Sequence, residues 1–143
     1  MNYETRPATE ADYPFCYELT KQNMFDLFTR HWGGWVSSAF RNDFNAKNTE
    51  IITLDGQRVG YFSLKENDNE FHLDNIQLSP NLHGKGIGTA ILENILHNKA
   101  SKPILLTTFL DNPAIRLYER LGFTVTDQDG ETVHMVRDMQ QFY

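Results

Sequence analysis

Hydrophobic and polar residues repeat with two different periods along the chain, and the change of period separates helices from strands. Residues 3–7 predict a short strand, and Thr9 then offers an N-cap with Asp12 three residues on as its capping-box partner. One helix is predicted over residues 10–23 and a second over residues 32–46. The first part of the chain is therefore expected to be mainly helical.

From residue 49 onward the apolar positions recur with a period of two, which is typical of strands. The stretch EIITLDGQRVGYFSLKE contains two β-rich runs joined at Asp55-Gly56, a dipeptide that favours a tight hairpin. The stretch EFHLDNIQLS, from Glu70 to Ser79, alternates in the same way. The middle of the chain is therefore expected to form three consecutive antiparallel strands.

The last part of the chain returns to helical spacing before it closes with a hairpin. An apolar stripe at i, i+4 spacing predicts a core-facing helix and consists of Ile87, Ile91, Leu92, Ile95 and Leu96. ILLTTF follows as a short buried strand, and DNPAIRLYERLGF as a helix that Asp111 or Asn112 caps and Gly122 ends. A final hairpin is predicted around Asp129-Gly130.

This order of elements predicts a mixed α+β fold in which helices pack on a central sheet. The strand from Glu70, the helix after it and the strand from Ile104 form a β-α-β unit, so these two strands are expected to be parallel. The chain has 143 residues, of which 40% are hydrophobic, and we expect one domain over residues 1–143.

The composition argues against several classes of partner. Nineteen acidic against thirteen basic residues give a net charge of −6, which disfavours nucleic acid, although the same excess can serve solubility alone. No apolar run reaches the roughly 18 residues of a membrane span, and MNYETRPATE lacks the apolar core of a signal peptide. We expect a cytoplasmic protein with no nucleic-acid and no membrane partner.

The residue types that ligate metals are scattered along the chain. Cys16 is the only cysteine, so an intrachain disulfide is impossible and a thiolate zinc site is disfavoured. None of the histidines lies three or four residues from another; they are His31, His72, His83, His97 and His134. We expect no metal.

Three glycines, Gly84, Gly86 and Gly88, lie between the last of the three antiparallel strands predicted above and the helix that follows. A glycine-rich turn that feeds a helix aims several unpaired N–H groups at one point, where the helix dipole adds partial positive charge. Such a turn can hold a diphosphate, or it can simply tighten the chain and let the helix pack on the sheet. The spacing G-x-G-x-G fits neither the Walker A loop nor the dinucleotide fingerprint G-x-G-x-x-G.

Two stretches resemble signatures of the GNAT superfamily of N-acetyltransferases. HGKGIG is similar to the family's Q/R-x-x-G-x-G/A, with His83 in place of glutamine or arginine, and DNPAIRLYERLGF is similar to its second signature, an asparagine opening a helix with a tyrosine before LGF. RPATEADY also resembles the family's usual first strand and helix, so the likeness follows the chain in order. The resemblance implies the GNAT fold, with a central, mostly antiparallel and splayed sheet and helices on both faces.

The resemblance also implies acetyl-coenzyme A (acetyl-CoA) as the acetyl donor. Amides from Gly84 to Thr89 would hold its pyrophosphate, and Ile76 to Leu78 would pair with its pantetheine arm where two neighbouring strands splay apart. Asn112 would contact the pantetheine or the acetyl end. The residues implied to bind the donor are Ile76, Gln77, Leu78, His83, Gly84, Lys85, Gly86, Ile87, Gly88, Thr89 and Asn112.

Two residues are expected to carry the chemistry. Tyr118 matches the family's general acid, which protonates the leaving thiolate, although an aromatic at this helical spacing can equally pack on the sheet. Asp74 can act as the general base, bind a cationic acceptor, or stand as a carboxylate in solvent. The resemblance suggests the N–H of Ile76 or a neighbour as the oxyanion donor.

The acceptor is expected to contact the first two helices, where Arg30, Trp32 and Trp35 cluster. The tryptophans can cover an acceptor or grip an ammonium face-on, or they can belong to the core, and Arg30 can be a solvated side chain. The expected reaction is direct acetyl transfer, in a ternary complex, to a primary amine of a small molecule or a protein, with a homodimer plausible from the resemblance. The alternative is a non-catalytic acyl-CoA-binding sensor of the same fold.

Overall fold

The computed structural model describes residues 3–35, 37–84, 86–99 and 101–138. The strands of the described chain are β1 Tyr3–Pro7, β2 Thr49–Leu54, β3 Gln57–Glu66, β4 Phe71–Leu78, β5 Ile104–Phe109, β6 Thr124–Asp129 and β7 Thr132–Arg137. The α-helices are α1 Tyr13–Trp32, α2 Ser37–Asp43, α3 Ile87–Asn98 and α4 Ile115–Arg120. The strands form a seven-stranded sheet in the order β1-β2-β3-β4-β5-β7-β6. None of the described helices is long and apolar enough to cross a membrane.

The chain divides into two compact units, and β4 contributes to both. The first unit contains the chain up to Leu64 together with Asn75–Leu82. The second contains Lys65–Asp74 and the chain from His83 onward. The predicted α+β class and the predicted strands are confirmed, whereas the extents of the first two helices differ from the prediction.

In the first unit, the capping box predicted at Thr9 and Asp12 is present, and it starts a short 3-10 turn that leads into α1. The Asp12 carboxylate accepts hydrogen bonds from the Thr9 N–H at 2.9 Å and from the two terminal guanidinium nitrogens of Arg6, each at 2.9 Å. These bonds, that from Arg6 above all, hold the pKa of Asp12 far below its ordinary value despite its burial. A buried carboxylate thus ties β1 to the start of the helix.

The predicted end of the first helix at residue 23 and the predicted start of the second at residue 32 were wrong. Helix α1 continues to Trp32 and ends at Gly33, which adopts the left-handed conformation with φ 76°. Helix α2 is shorter than predicted, since it covers only Ser37–Asp43. The paired glycines stop the first helix instead of opening the second.

The core of the first unit is a cluster of buried residues from α1, β2, β3 and the segment after β1, namely Ala8, Cys16, Leu19, Ile51 and Tyr61. Partly buried aromatic residues from α1 and α2 pack against it. Since Cys16 is fully buried, burial raises the pKa of its thiol to about 12, and it acts as a small hydrophobic residue.

The β2–β3 hairpin fixes where β4 ends. Its turn is Asp55-Gly56 as predicted, with φ 51° and 81°. The register shifts between Ile52 and Thr53, so that Ile52 faces Gly60 whereas Thr53 faces Arg58. The N–H of Ser79, just after β4, donates to the carbonyl of Val59 at 2.8 Å. A Cβ on Gly60 would lie only 2.5 Å from the main-chain oxygen of Gln77, so β3 and β4 approach unusually closely here.

In the second unit, the predicted β-α-β crossover is confirmed because β4 and β5 pair in parallel. Their register covers only two rungs, Phe71 with Ile104 and His72 with Leu105. Both strands are fully described and continue beyond these two rungs, and no further β4–β5 pair occurs among their residues. On its other side β5 pairs antiparallel with β7 over its whole length, and β7 pairs with the edge strand β6.

The close approach at Gly60 gives a stability prediction. Gly60→Ala should lower the free energy of unfolding by about 2 kcal/mol, because its methyl group would overlap a main-chain oxygen that cannot rotate away. Chemical denaturation of the two proteins measures the difference. The control is Gln57→Ala, an exposed change on the same strand, which should alter the stability by less than about 0.5 kcal/mol. Equal stabilities of Gly60→Ala and the unmodified protein would contradict this packing.

Candidate functional site

The glycine turn before α3, in the second unit, is the first candidate region. Gly84 and Gly86 both adopt left-handed backbone with φ 77°, and Gly86 is the N-cap residue of α3. The Ala90 N–H bonds back to the Gly86 carbonyl at 3.0 Å. The N–H groups of Ile87, Gly88 and Thr89 therefore lie in the first turn of a twelve-residue helix, where no intrahelical acceptor exists.

Glycine is required in this turn by backbone conformation and not by internal packing. A Cβ on Gly84 or Gly86 would meet no atom of the described chain within 4 Å. The surface of the turn is thus bare main chain at the positive end of a helix dipole, which suits a phosphate group. His83 is exposed beside it, Ile87 is buried, and the predicted donor-binding Lys85 lies outside the described residues.

The end of β4, in the first unit, is a separate candidate region. The N–H of Ser79 bonds to the carbonyl of Val59, so this main-chain group points toward β3. Counted back from Ser79, the alternation of main-chain groups along a strand directs those of Leu78 away from β3 and, two residues earlier, those of Ile76 away from β3 again. The carbonyl of Leu78 accepts a hydrogen bond from the Asn23 side chain at 2.9 Å. The Gln77 side chain is buried and hydrogen-bonded to Asn23 and Asn75. Its predicted contact with the acetyl donor would therefore have to be made by its main chain.

Asn112 is placed as a local cap of the turn before α4. Its Oδ1 accepts from the Ala114 N–H at 3.0 Å, and its Nδ2 donates to the Thr108 hydroxyl at 2.8 Å. An amide nitrogen carries two hydrogens, so one donor of Asn112 is still available for a ligand.

Tyr118 is a buried residue of α4, with only 9% of its surface exposed. Its ring packs edge-on against Phe123 with 5.9 Å between centroids, and its hydroxyl has no hydrogen-bond partner among the described residues. Burial raises the pKa of Tyr118 to about 12. The hydroxyl consequently keeps its proton at neutral pH, as a proton donor must.

Asp74 does not stand alone on β4. Its carboxylate is bonded to Nδ1 of His72 at 2.5 Å and forms an ion pair with the Lys65 ammonium at 3.0 Å. Partial burial raises the pKa of Asp74, but the His72 bond and the Lys65 pair outweigh it, so the net shift is downward. The same bond from Asp74 raises the pKa of His72. Asp74 is therefore a weak proton acceptor itself and a strong partner for the imidazole.

The three residues predicted to contact the acceptor lie in different surroundings. Trp35 joins α1 to α2, because its Nε1 donates to the Tyr17 hydroxyl at 3.3 Å and its ring contacts Phe28 and Phe40. Trp32 also stacks on Phe28, with 4.8 Å between centroids, yet 63% of its surface is exposed. Arg30 is exposed on α1.

Sequence reasoning missed the partners of several polar strand residues. His72 and Asp74, like Asn75 and Gln77, are two residues apart on one strand, a spacing that places their side chains on a common face. That spacing could have predicted both side-chain hydrogen bonds. Lys65 has no such pattern, since it reaches Asp74 from another strand. No group of three or more potential metal ligands occurs within the described ranges.

Comparisons with known proteins agree with this arrangement. The family model of the acetyltransferase (GNAT) domain matches residues 46–125, more than half of the chain. The spore coat polysaccharide biosynthesis protein SpsD of Bacillus subtilis (strain 168) is 33% identical over 90 residues, which are 59% of this chain and 31% of SpsD. The mycothiol acetyltransferase of Corynebacterium glutamicum (strain R) is 30% identical over 105 residues, 66% of this chain and 36% of that enzyme. The chain thus spans about a third of the length of these relatives.

Solved structures show the same fold at low sequence identity. The ribosomal-protein-S18-alanine N-acetyltransferase from Escherichia coli has a TM-score of 0.74 and 19% identity, with coverage of 99% of this chain and 97% of that one. The PaiA N-acetyltransferase from Thermoplasma acidophilum, in complex with coenzyme A, has a TM-score of 0.73 and 20% identity, with coverage of 96% and 99%. The family match over most of the sheet, the glycine turn and α4 leads to one conclusion: this chain belongs to the GNAT acetyltransferase family.

Proposed function

We propose that the protein transfers an acetyl group from acetyl-CoA to a primary amine in a ternary complex. The observation that carries this proposal is the bare glycine turn at the start of α3, in a chain of the GNAT family. Acetyl-CoA supplies a thioester whose carbonyl carbon an amine can attack. The residues of the chain bind the donor, stabilise developing negative charge and move protons.

The diphosphate of the donor is assigned to the turn. The main-chain N–H groups from Gly84 to Thr89 would hold its oxygens, Lys85 would add a positive charge, and His83 a polar contact at the rim. The absence of any Cβ at Gly84 and Gly86, and the open space where one would project, support this assignment.

The pantetheine arm is assigned to the end of β4. Ile76 directs its main-chain N–H and C=O away from β3, so an extended ligand can add to this edge as a strand would. The Ile76 N–H would then donate to the thioester oxygen as negative charge develops on it. Asn112 would use its remaining amide hydrogen on the pantetheine or the acetyl end.

Tyr118 is the proposed general acid for the leaving thiolate. Its raised pKa keeps the hydroxyl protonated over the pH range in which an amine loses its proton. Because the conjugate thiol has a pKa of only roughly 8.5, full proton transfer from Tyr118 to the thiolate is uphill in the free protein. Tyr118 would therefore act mainly by donating a hydrogen bond to the sulfur as the C–S bond breaks.

Asp74 is proposed to act on the proton of the amine together with His72. Because Nδ1 of His72 is bonded to Asp74, the neutral imidazole presents Nε2 as its acceptor, with the carboxylate stabilising the cation that forms. His72 is partly exposed, with 40% of its side chain accessible. An ammonium acceptor bound near Asp74 and His72 would also be attracted by the carboxylate.

The acceptor is proposed to be an amine carried by a small molecule or a protein. The exposed face of Trp32 can cover an apolar part of it or bind a cation, and Arg30 can pair with an acidic group. The names of the similar proteins point to different acceptors, an alanine of a ribosomal protein in one and mycothiol chemistry in another. They support acetyl transfer and leave the acceptor class open.

Release of free thiol from acetyl-CoA, measured with polyamines, aminoglycosides, amino acids and peptides, tests the function. Turnover with at least one amine is expected, and Tyr118→Phe should lower kcat for it by about 100-fold while leaving the Kd for acetyl-CoA nearly unchanged. Unchanged turnover would remove Tyr118 from the acid role. Tight binding of acetyl-CoA without turnover across the panel would instead favour a sensor.

The donor-binding turn predicts a separate result. Gly86→Val should abolish calorimetric binding of acetyl-CoA, because the branched side chain would both strain the φ 77° backbone and cover the N–H groups. Gly130→Val is the matched control, since Gly130 also has positive φ, 62°, but lies in the β6–β7 hairpin. The control should be destabilised to a similar extent and still bind the donor. Normal binding by Gly86→Val would refute the assignment of the turn.

The His72–Asp74 pair predicts opposite pKa changes in two variants. Asp74→Asn should lower the His72 pKa, because the bond to the carboxylate is its largest upward influence. Lys65→Met should raise it, because the ammonium repels the imidazolium. NMR titration of the imidazole carbon resonances measures both, with the remaining histidines as internal controls. An unmoved His72 titration in Asp74→Asn would show that the two side chains are not coupled.

A further inference from the structure

A largely buried series of hydrogen bonds in the first unit leaves α1, follows the end of β4, crosses to β3 and returns to α1. Its members are Asn23, Gln77, Asn75, Tyr61 and Thr20, and it ends at the main-chain oxygen of Cys16. Thr20, Tyr61 and Gln77 are all less than 10% exposed. This series connects three elements through side chains that are not needed for any strand ladder or helix.

The bonding pattern gives the series a single direction. Thr20 uses its only hydroxyl hydrogen on the Cys16 carbonyl at 2.8 Å, so the Tyr61 hydroxyl must donate to Thr20. The Tyr61 oxygen then accepts from the Asn75 amide nitrogen at 2.9 Å.

The remaining links follow the same direction. Asn75 accepts from Gln77 Nε2 at 2.8 Å, and Gln77 Oε1 accepts from Asn23 Nδ2 at 3.1 Å. Neither strand amide can be flipped without placing two donors or two acceptors against each other. The orientation of both side chains is therefore fixed by groups on α1 and β3.

This fixed pair flanks the residue on which the proposed chemistry depends. Ile76 lies between Asn75 and Gln77, and Asn23 also donates to the carbonyl of Leu78 at 2.9 Å. The main chain on both sides of the Ile76 N–H is thus held by side-chain hydrogen bonds, in addition to the Ser79 bond to β3.

We propose that Asn75 and Gln77 are positioning residues that aim the Ile76 N–H at the thioester oxygen. The inference rests on the proposed function, because it needs acetyl-CoA on this edge of β4. A hydrogen-bond donor that stabilises negative charge in the transition state must already be in position before the reaction. If it had to reorient, the free energy of that reorientation would offset the stabilisation. The hydrogen-bond series supplies that rigidity at a strand end that β5 does not pair.

Gln77→Met tests this role, because methionine keeps the length of the side chain and removes both of its hydrogen bonds. We expect kcat to fall by about 10-fold or more, with the Kd for acetyl-CoA changed by less than about threefold, since removal of an oxyanion donor itself costs about 100-fold. Infrared spectra of bound acetyl-CoA labelled with ¹³C at the thioester carbonyl provide a direct readout. The bound carbonyl band should shift to lower frequency in the unmodified protein, and the variant should lose most of that shift.

Thr49→Val is the matched control for loss of a buried hydrogen bond. Thr49 lies in the same unit and is 2% exposed. It bonds to the Asn45 carbonyl at 2.7 Å and to the Ser63 hydroxyl at 2.9 Å, and neither partner belongs to the hydrogen-bond series that includes Asn75 and Gln77. Its variant should lose stability as Gln77→Met does and keep both kcat and the carbonyl shift. If Gln77→Met does not fold, Asn23→Ala at the half-buried start of the series takes its place with the same expectations.

A double variant tests whether the side chains act as one unit. Asn75→Leu combined with Gln77→Met should lower kcat no more than the stronger single change, within about threefold, whereas independent roles would multiply the two effects. The positioning role would be overturned if the kcat losses of the two single variants multiplied in the double variant. It would also be overturned if the thioester carbonyl band had the same frequency in Gln77→Met and in the unmodified protein. An unmodified protein that binds no acetyl-CoA would refute the proposed function instead.

Discussion

The main chain of β4 must satisfy its hydrogen-bonding groups after it stops pairing with β5 at His72. Unpaired backbone donors and acceptors are costly away from water, so a strand released from its neighbour needs other partners. Leu78 has one in the side chain of Asn23, and Ser79 has one in Val59. The main chain of Ile76 points away from β3 between these fixed points, which makes this edge suited to an extended ligand.

Helix α1 has more than one structural role in the first unit. At its start, Asp12 binds arginines from β1 and β3, and in its middle Asn23 and Thr20 bond to the two ends of the polar series on β4 and β3. At its end, Trp32 is exposed beside the glycines that stop the helix. One helix thereby fixes the strand proposed to bind the donor and carries residues proposed to meet the acceptor.

In the second unit, the proposed acid Tyr118 and the His72–Asp74 pair proposed as the base lie in different environments. Tyr118 is buried without a charged partner, and burial alone keeps it protonated. His72 and Asp74 are partly exposed, and they are bonded to each other beside the Lys65 ammonium. Different surroundings shift the pKa values of titratable groups apart, so that one group can act as an acid and another as a base at the same pH.

The sequence by itself determined the strands, the hairpin turns, α3 and the family, because period, turn dipeptides and glycine spacing are local properties. It also indicated Tyr118 and the glycine turn through two short signatures. It did not determine that α1 continues to Trp32, that Gln77 turns its side chain inward, or that Asp74 is bonded to His72 and Lys65. Those features depend on contacts between residues far apart in the chain, and only the folded arrangement of helix and strands decides which polar groups meet.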